Sequence, residues 1–295
     1  FFMFLLSTIA IAQTPIQSAS VTNITGTNYT YSQTGWTGVG CAPTHFNSGT
    51  TYNIQFGQGN NRRVDAITVN GQSYNFSSLA GQVIVRRHPS SSSNIEYNPF
   101  FEEKSINFST NTIQVEGDYA ATTEEALNSR YINRGIDAIF ECTNIRRWDY
   151  IFSNTFTTGP NTDLTLTGFP IFERAGNDAF KIAAITGLDN SGNPSCFGDL
   201  ITVNTSDWGA SLYFLESINF EGNEGISNAY PEAKYDGNVK GVFISLDDLN
   251  INSAQTIYGY AVFDTNIYNS NSNNCHTDLV NWINYPTTGN SSLDV

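Results

Sequence analysis

Three histidines, four cysteines and a few carboxylate pairs are the residues of this chain that could do chemistry. His45, His88 and His276 are scattered, and no His-Glu-x-x-His run puts two of them on one helix face. The common zinc-protease arrangement is therefore absent. No Gly-x-Ser-x-Gly elbow presents a serine nucleophile. Cys275 and His276 are adjacent, but neighbours in an extended chain point apart. They read as a disulfide cysteine beside a surface histidine, not as a dyad. Gly57-Gln58-Gly59 closes a strand with no helix behind it, which makes it a turn and not a phosphate cradle. The pairs Glu102-Glu103, Glu124-Glu125 and Asp247-Asp248 would face opposite ways on a strand, mark a helix start, or cap a turn. None suits two carboxylates flanking a glycosidic bond. No catalytic residue is predicted.

Two binding chemistries deserve naming. Asp189-Asn190-Ser191-Gly192-Asn193 supplies oxygens, so Asp189, Asn190 and Asn193 are candidate calcium ligands. The loop lacks EF-hand spacing and a closing glutamate, and it suits a hairpin turn better. Trp36, Trp208 and Trp282, with Trp148, could stack on sugar rings, although tryptophans in a chain of this size are more often core residues. Apart from calcium, no cofactor is expected.

The elements that must position these residues read as strands. Thr51–Phe56, Arg63–Val69 and Thr112–Gly117 alternate apolar and polar residues, the period of a half-buried strand. Asn70-Gly71 between Val69 and Tyr74 predicts a tight hairpin. Further strands are expected at 20–24, 82–87, 138–142, 149–152, 164–166, 180–185, 200–203, 212–215, 239–244 and 256–263. One short helix is expected near 122–130, where Thr122 can cap and Glu124 and Glu125 fall in the first turn. Pro89 and the serines Ser90–Ser93 form an exposed loop near 90, the one candidate subdomain boundary. Many short strands separated by turns predict an all-β fold, an antiparallel β-sandwich resembling a jelly roll.

Composition agrees. The chain has 20 Phe, 15 Tyr, 24 Gly and 35 Asn, which favours pleated surfaces and turns over helices. Its net charge of -14 repels phosphate backbones, so nucleic acid is not an expected partner. The apolar run Phe1–Ala12 ends in Ala10-Ile11-Ala12, a small-x-small cleavage pattern. It is too short to span a bilayer and reads as a clipped signal peptide whose true start lies upstream. The all-β globular region is expected over 13–290, with 291–295 beginning a linker to further sequence. Export permits disulfides. Cys41, Cys142, Cys196 and Cys275 allow three pairings, and spacing does not choose among them.

Several phrases together carry a resemblance. They are Val69-Asn70-Gly71 through Val83–Arg87, Glu124–Leu127 leading to Ile132–Asp137, and Asn144–Phe152. They continue with Phe172–Thr186, Ile257–Tyr260 and Asp278–Trp282. Over roughly residues 60–286 the chain resembles the N-terminal globular region of large secreted surface proteins of Bacteroidota. Such proteins often continue into Ig-like or cadherin-like repeats and a type IX secretion sorting domain. The resemblance implies surface display and adhesion without catalysis, toward an unknown surface ligand, a glycan or a protein. Cys142 and Cys196 depart from that pattern, which suggests that they meet, leaving Cys41 with Cys275. The shared phrases also hold four of the nine arginines. We expect Arg134, Arg146, Arg147 and Arg174 to pair with Asp137, Asp149, Glu173 and Asp178 in a structural network. A ligand-binding arginine cluster is the alternative. The expected function is a non-catalytic extracellular β-sandwich module of an adhesin-like surface protein. A secreted carbohydrate-binding module, calcium-assisted, is the alternative, and a secreted hydrolase ranks third.

Overall fold

A computed structural model describes residues 13–35, 45–76, 80–87, 96–135, 145–223, 225–268 and 275–285. The chain begins with strands β1 (Thr14–Pro15), β2 (Ser18–Thr25) and β3 (Tyr29–Thr34). Next come β4 (Thr51–Phe56), β5 (Asn60–Val69), β6 (Gln72–Asn75), β7 (Ala80–Arg87), β8 (Phe100–Asn107) and β9 (Thr112–Val115). Helix α1 (Thr123–Leu127) precedes β10 (Ile145–Thr157), β11 (Gly168–Arg174), β12 (Phe180–Leu188), β13 (Pro194–Phe197) and β14 (Ile201–Val203). The last strands are β15 (Tyr213–Glu221), β16 (Tyr230–Ser245) and β17 (Thr256–Phe263). The fold is all-β and largely antiparallel, and among the described strands only β4 and β9 pair in parallel.

The described strands form three sheets. One runs β1-β16-β15-β8-β9-β4-β3, with β11 on β16. A second runs β13-β12-β17-β10-β7, with β14 on β12. The third is β2-β5-β6. The first two face each other as a sandwich. Val85, Trp148, Ile182 and Val262 of the six-stranded sheet pack against Phe169, Ile171, Val242 and Ile244 of the eight-stranded one. On the opposite face of β16, Val239 and Phe243 pack against Val64, Ile67 and Val69 of the small sheet. β16 thus lies between two cores, because alternate residues of a strand point to opposite faces.

Local chemistry follows the sequence closely in places. Asn70 and Gly71 both have positive φ, 50° and 75°, so the β5–β6 connection is the tight turn the dipeptide predicts. Thr122 caps α1, its Oγ1 accepting from Glu125 N at 3.1 Å, while Glu125 Oε2 accepts from Ala121 N at 2.8 Å. Asp248 closes a capped turn on Ser245, whose Oγ donates to it at 2.7 Å. One expected strand is a turn instead. At 164–166, Asp163 Oδ1 accepts from both the amide and the hydroxyl of Thr165, at 3.0 and 2.6 Å, which bends the chain. The predicted signal peptide, the strand at 138–142, the serine loop and the linker at 291–295 lie outside the described residues.

Candidate functional site

Strand β10 builds both features that could carry function. Its outward residues Arg147 and Asp149 form a buried pair. Arg147 donates Nε to Asp149 Oδ1 at 2.6 Å and Nη2 to Oδ2 at 3.1 Å. Both side chains are fully buried. Arg86 on the neighbouring β7 donates to the same carboxylate at 2.8 Å. Arg147 Nη1 also donates to Tyr285 Oη at 3.1 Å and to the Leu279 carbonyl. Phe197 lies 4.9 Å beneath the Arg147 guanidinium, and Trp282 lies 4.6 Å from that of Arg86. Burial pushes the Tyr285 phenol up to about 12, against the pull of the neighbouring Arg147 charge. Residues 275–285 are thus strapped across the outer face of the six-stranded sheet, over Ile185, Phe197 and Phe263. Every strong donor here has an acceptor, so this arrangement holds the fold.

The strap is anchored at its other end by a disulfide between Cys196 and Cys275, whose Cα atoms are 5.1 Å apart. This replaces the expected pairings Cys142–Cys196 and Cys41–Cys275. β13 is the edge strand carrying Cys196, and the strap meets that edge. His276 N donates to Phe197 O at 2.9 Å, and His276 Nε2 lies 3.0 Å from Asp199 Oδ1. A departure shared by two cysteines did not mean that they face each other. Cys41 and Cys142 lie outside the described residues.

Arg146 and Arg134 have acidic partners outside the expected set. Arg146 approaches Asp264 at 3.7 Å. Burial raises the Asp264 carboxyl, opposed by bonds from Asn266 and by the Arg146 charge. Arg134 reaches Asp118 at 3.9 Å and donates to Tyr119 O at 3.0 Å. Arg174 lies 4.4 Å over the ring of Phe100. Glu173 is fully buried on β11, while Asp178 accepts from Asn177 at 3.0 Å in a surface turn. Asp137 lies outside the described residues. Of the expected pairs, Arg147 and Asp149 are in direct contact with each other.

The inward residues of β10 line a cavity of about 630 Å³. It lies beside β11, which pairs only with β16 among the described strands. One wall is an aromatic ladder. Tyr150 stacks on Tyr260 with ring centroids 4.7 Å apart, and Tyr260 stacks on Phe169 at 4.6 Å. Trp148 meets Tyr150 edge-on at 6.3 Å, and Phe152 tilts against Phe169 at 5.9 Å. The opposite wall comes from Tyr74 and Phe76 at the end of the small sheet, with Phe243 behind Tyr74 at 4.9 Å. Phe156 and Leu166 stand exposed at the rim, 37% and 48% accessible. Asn75, Asn128, Asn154, Arg130 and Arg134 complete the polar lining.

Unlike the strap, this region keeps unused hydrogen-bonding groups. Trp148 is 3% exposed, and its Nε1 has no acceptor. Burial raises the Tyr150 phenol well above its ordinary range, with the Tyr260 ring adding to it, and burial raises Tyr260 too. Both remain protonated donors at physiological pH. Among the described lining residues there is no Asp, Glu, His or Cys. The described lining can therefore stack, hydrogen-bond and exclude water.

The remaining candidates separate. Trp208 lies between the sheets, donating Nε1 to Asp178 O at 2.7 Å, whereas Trp282 lies on the outer face under Arg86. They form no common platform, and Trp36 lies outside the described residues. Asp189 Oδ1 accepts from the amides of Ser191 and Asn193 at 2.8 and 2.9 Å. Those bonds hold its carboxyl below the usual range, the Asn193 amide contributing most. Asn193 Oδ1 accepts from Arg86 at 3.1 Å, and Asn190 is exposed in the same turn. The loop is a self-satisfied hairpin. Tyr150, Phe152 and Tyr260 were not singled out in the sequence. The signal was present in Trp148-x-Tyr150-x-Phe152, three aromatics on one strand face.

No protein family, characterised protein or solved structure matches this chain. Among the described residues, no helix is long and apolar enough to cross a membrane.

Proposed function

We propose that this chain is a non-catalytic, extracellular β-sandwich module that serves surface display or adhesion and holds its ligand in the aromatic cavity. One observation carries the reading: a partly open cavity with stacked aromatic walls and the unsatisfied Trp148 indole, with no carboxylate, histidine or cysteine among its described lining residues. Such a lining supports recognition by stacking and hydrogen bonding. The Cys196–Cys275 disulfide suits an oxidising, exported setting.

The ligand class best matched is a glycan. Sugar rings present C–H faces that stack on aromatics and hydroxyls that accept from an indole and pair with amides. Asn75, Asn128 and Asn154 supply those amides. A labelled chain applied to a glycan array should retain a defined set of sugars. The Tyr74→Ala/Phe156→Ala variant should lose them at unchanged fold. Retention by the variant, or binding to a protein partner alone, would move the ligand elsewhere.

A further inference from the structure

A second polar cluster lies at the far end of β15 and β16, away from the aromatic cavity. Glu221 ends β15, and Glu232 sits in a bulge of β16, between Pro231 opposite Phe220 and Ala233 opposite Asn219. Both glutamates are fully buried. Their carboxyl groups lie within hydrogen-bonding reach of each other, and burial followed by that contact pushes Glu221 up to about 9. All four carboxylate oxygens lack a donor in the protein. Lys234, two residues on, is held instead by Glu103 at 2.6 Å.

An independent feature points into the same place. Asn219, two residues before Glu221 on β15, presents its side chain to the same face. It is 1% exposed, its Nδ2 donates to Asn98 Oδ1, and its Oδ1 has no partner. Asn98 is itself 1% exposed. The pairings Asn219 with Phe100 and Gly222 with Tyr97 set Asn98 opposite Glu221, and Asn98 Nδ2 likewise has no acceptor.

We propose that Glu221, Glu232 and Asn219 form a calcium site that ties the ends of β15 and β16 together. Two anionic carboxylates facing each other in a buried site are strongly unfavourable without a compensating charge. One shared proton would satisfy a single contact and leave the Asn219 oxygen and the outer carboxylate oxygens bare. A calcium ion engages carboxylates in either one- or two-oxygen mode and accepts amide oxygens, with carbonyls and water completing its shell. The donor set is all oxygen, which favours a hard cation over zinc or copper. This site is separate from the Asp189 hairpin, whose carboxylate is already taken by its own loop.

The test is calorimetric titration of the chelator-treated chain with calcium chloride near neutral pH, paired with thermal melts. One ion per chain and a calcium-dependent rise in Tm are expected. Glu221→Gln/Glu232→Gln should weaken binding by at least about tenfold, as should Asn219→Ala, which keeps both carboxylates should the double variant not fold. Glu216→Gln, an exposed site on the same strand, should bind like the parent. A parent chain that takes up no calcium at about 10 mM would overturn the proposal and leave a shared-proton pair. Binding that survives both sets of substitutions would overturn it equally.

Discussion

The two faces of β10 differ in how completely their polar groups are used. On the outer face, Arg147 and Asp149 bond to each other, to Arg86 and to the strap, and aromatic rings cover what remains. On the inner face, one residue away at each step, Trp148 keeps a bare indole N–H beside a cavity. The same strand therefore carries a fully satisfied lock and an unfilled recess. A buried polar group left without a partner calls for an explanation, and at Trp148 the adjoining cavity offers one.

The comparison can be broken from the outer face first. Asp149→Ala leaves two arginines facing each other in a dry site and should cost about 3–5 kcal/mol in urea unfolding. A loss below about 1 kcal/mol would mean that the pair is not the lock described here. Cys196→Ser/Cys275→Ser frees one end of the strap and should cost about 2–4 kcal/mol, read in the same way. The outer face also predicts a pH response. Tyr285 is raised to about 12, so its folded value exceeds its unfolded one. Its stabilising contribution is fully present below about pH 10 and is lost as pH rises through about 12. Tyr285→Phe should flatten that alkaline fall, at a cost of about 1 kcal/mol near neutrality. An unchanged alkaline profile would remove Tyr285 from the lock. The smallest stability effect belongs to the inner face. Trp148→Phe should change stability by only about 1 kcal/mol, because no hydrogen bond is lost, yet it should weaken ligand retention. A large stability loss there would make Trp148 a core residue and not part of a binding wall.

The strands were legible wherever apolar and polar residues alternate or a turn dipeptide fixes a register. Thr51–Phe56, Thr256–Phe263 and the Asn70-Gly71 hairpin show this. Residues 164–166 misled because Leu-Thr-Leu has strand composition, while the Asp163 side chain that bends it precedes the window. β11 was not expected, because adjacent charges at Glu173-Arg174 break its apolar alternation, yet Glu173 is buried on the strand. The partners of the arginines were illegible for a different reason. Asp264 and Asp118 come from segments far from Arg146 and Arg134 in sequence, and only the sheet order brings them close. The disulfide follows the same rule, since β13 meets the strap only once the sheet is assembled. The cavity depends on where three sheets fail to close, which no local pattern encodes.

A ligand seated in the cavity should be felt first at the Trp148 indole. The most direct measurement is the indole region of the ¹⁵N–¹H spectrum, assigned by single Trp→Phe variants, during titration with an oligosaccharide retained on the array. The account predicts a saturable shift of the Trp148 indole N–H as it gains an acceptor, with Trp208 unchanged because it already donates to Asp178. A shift confined to Trp282, or binding that leaves every indole signal in place, would contradict it.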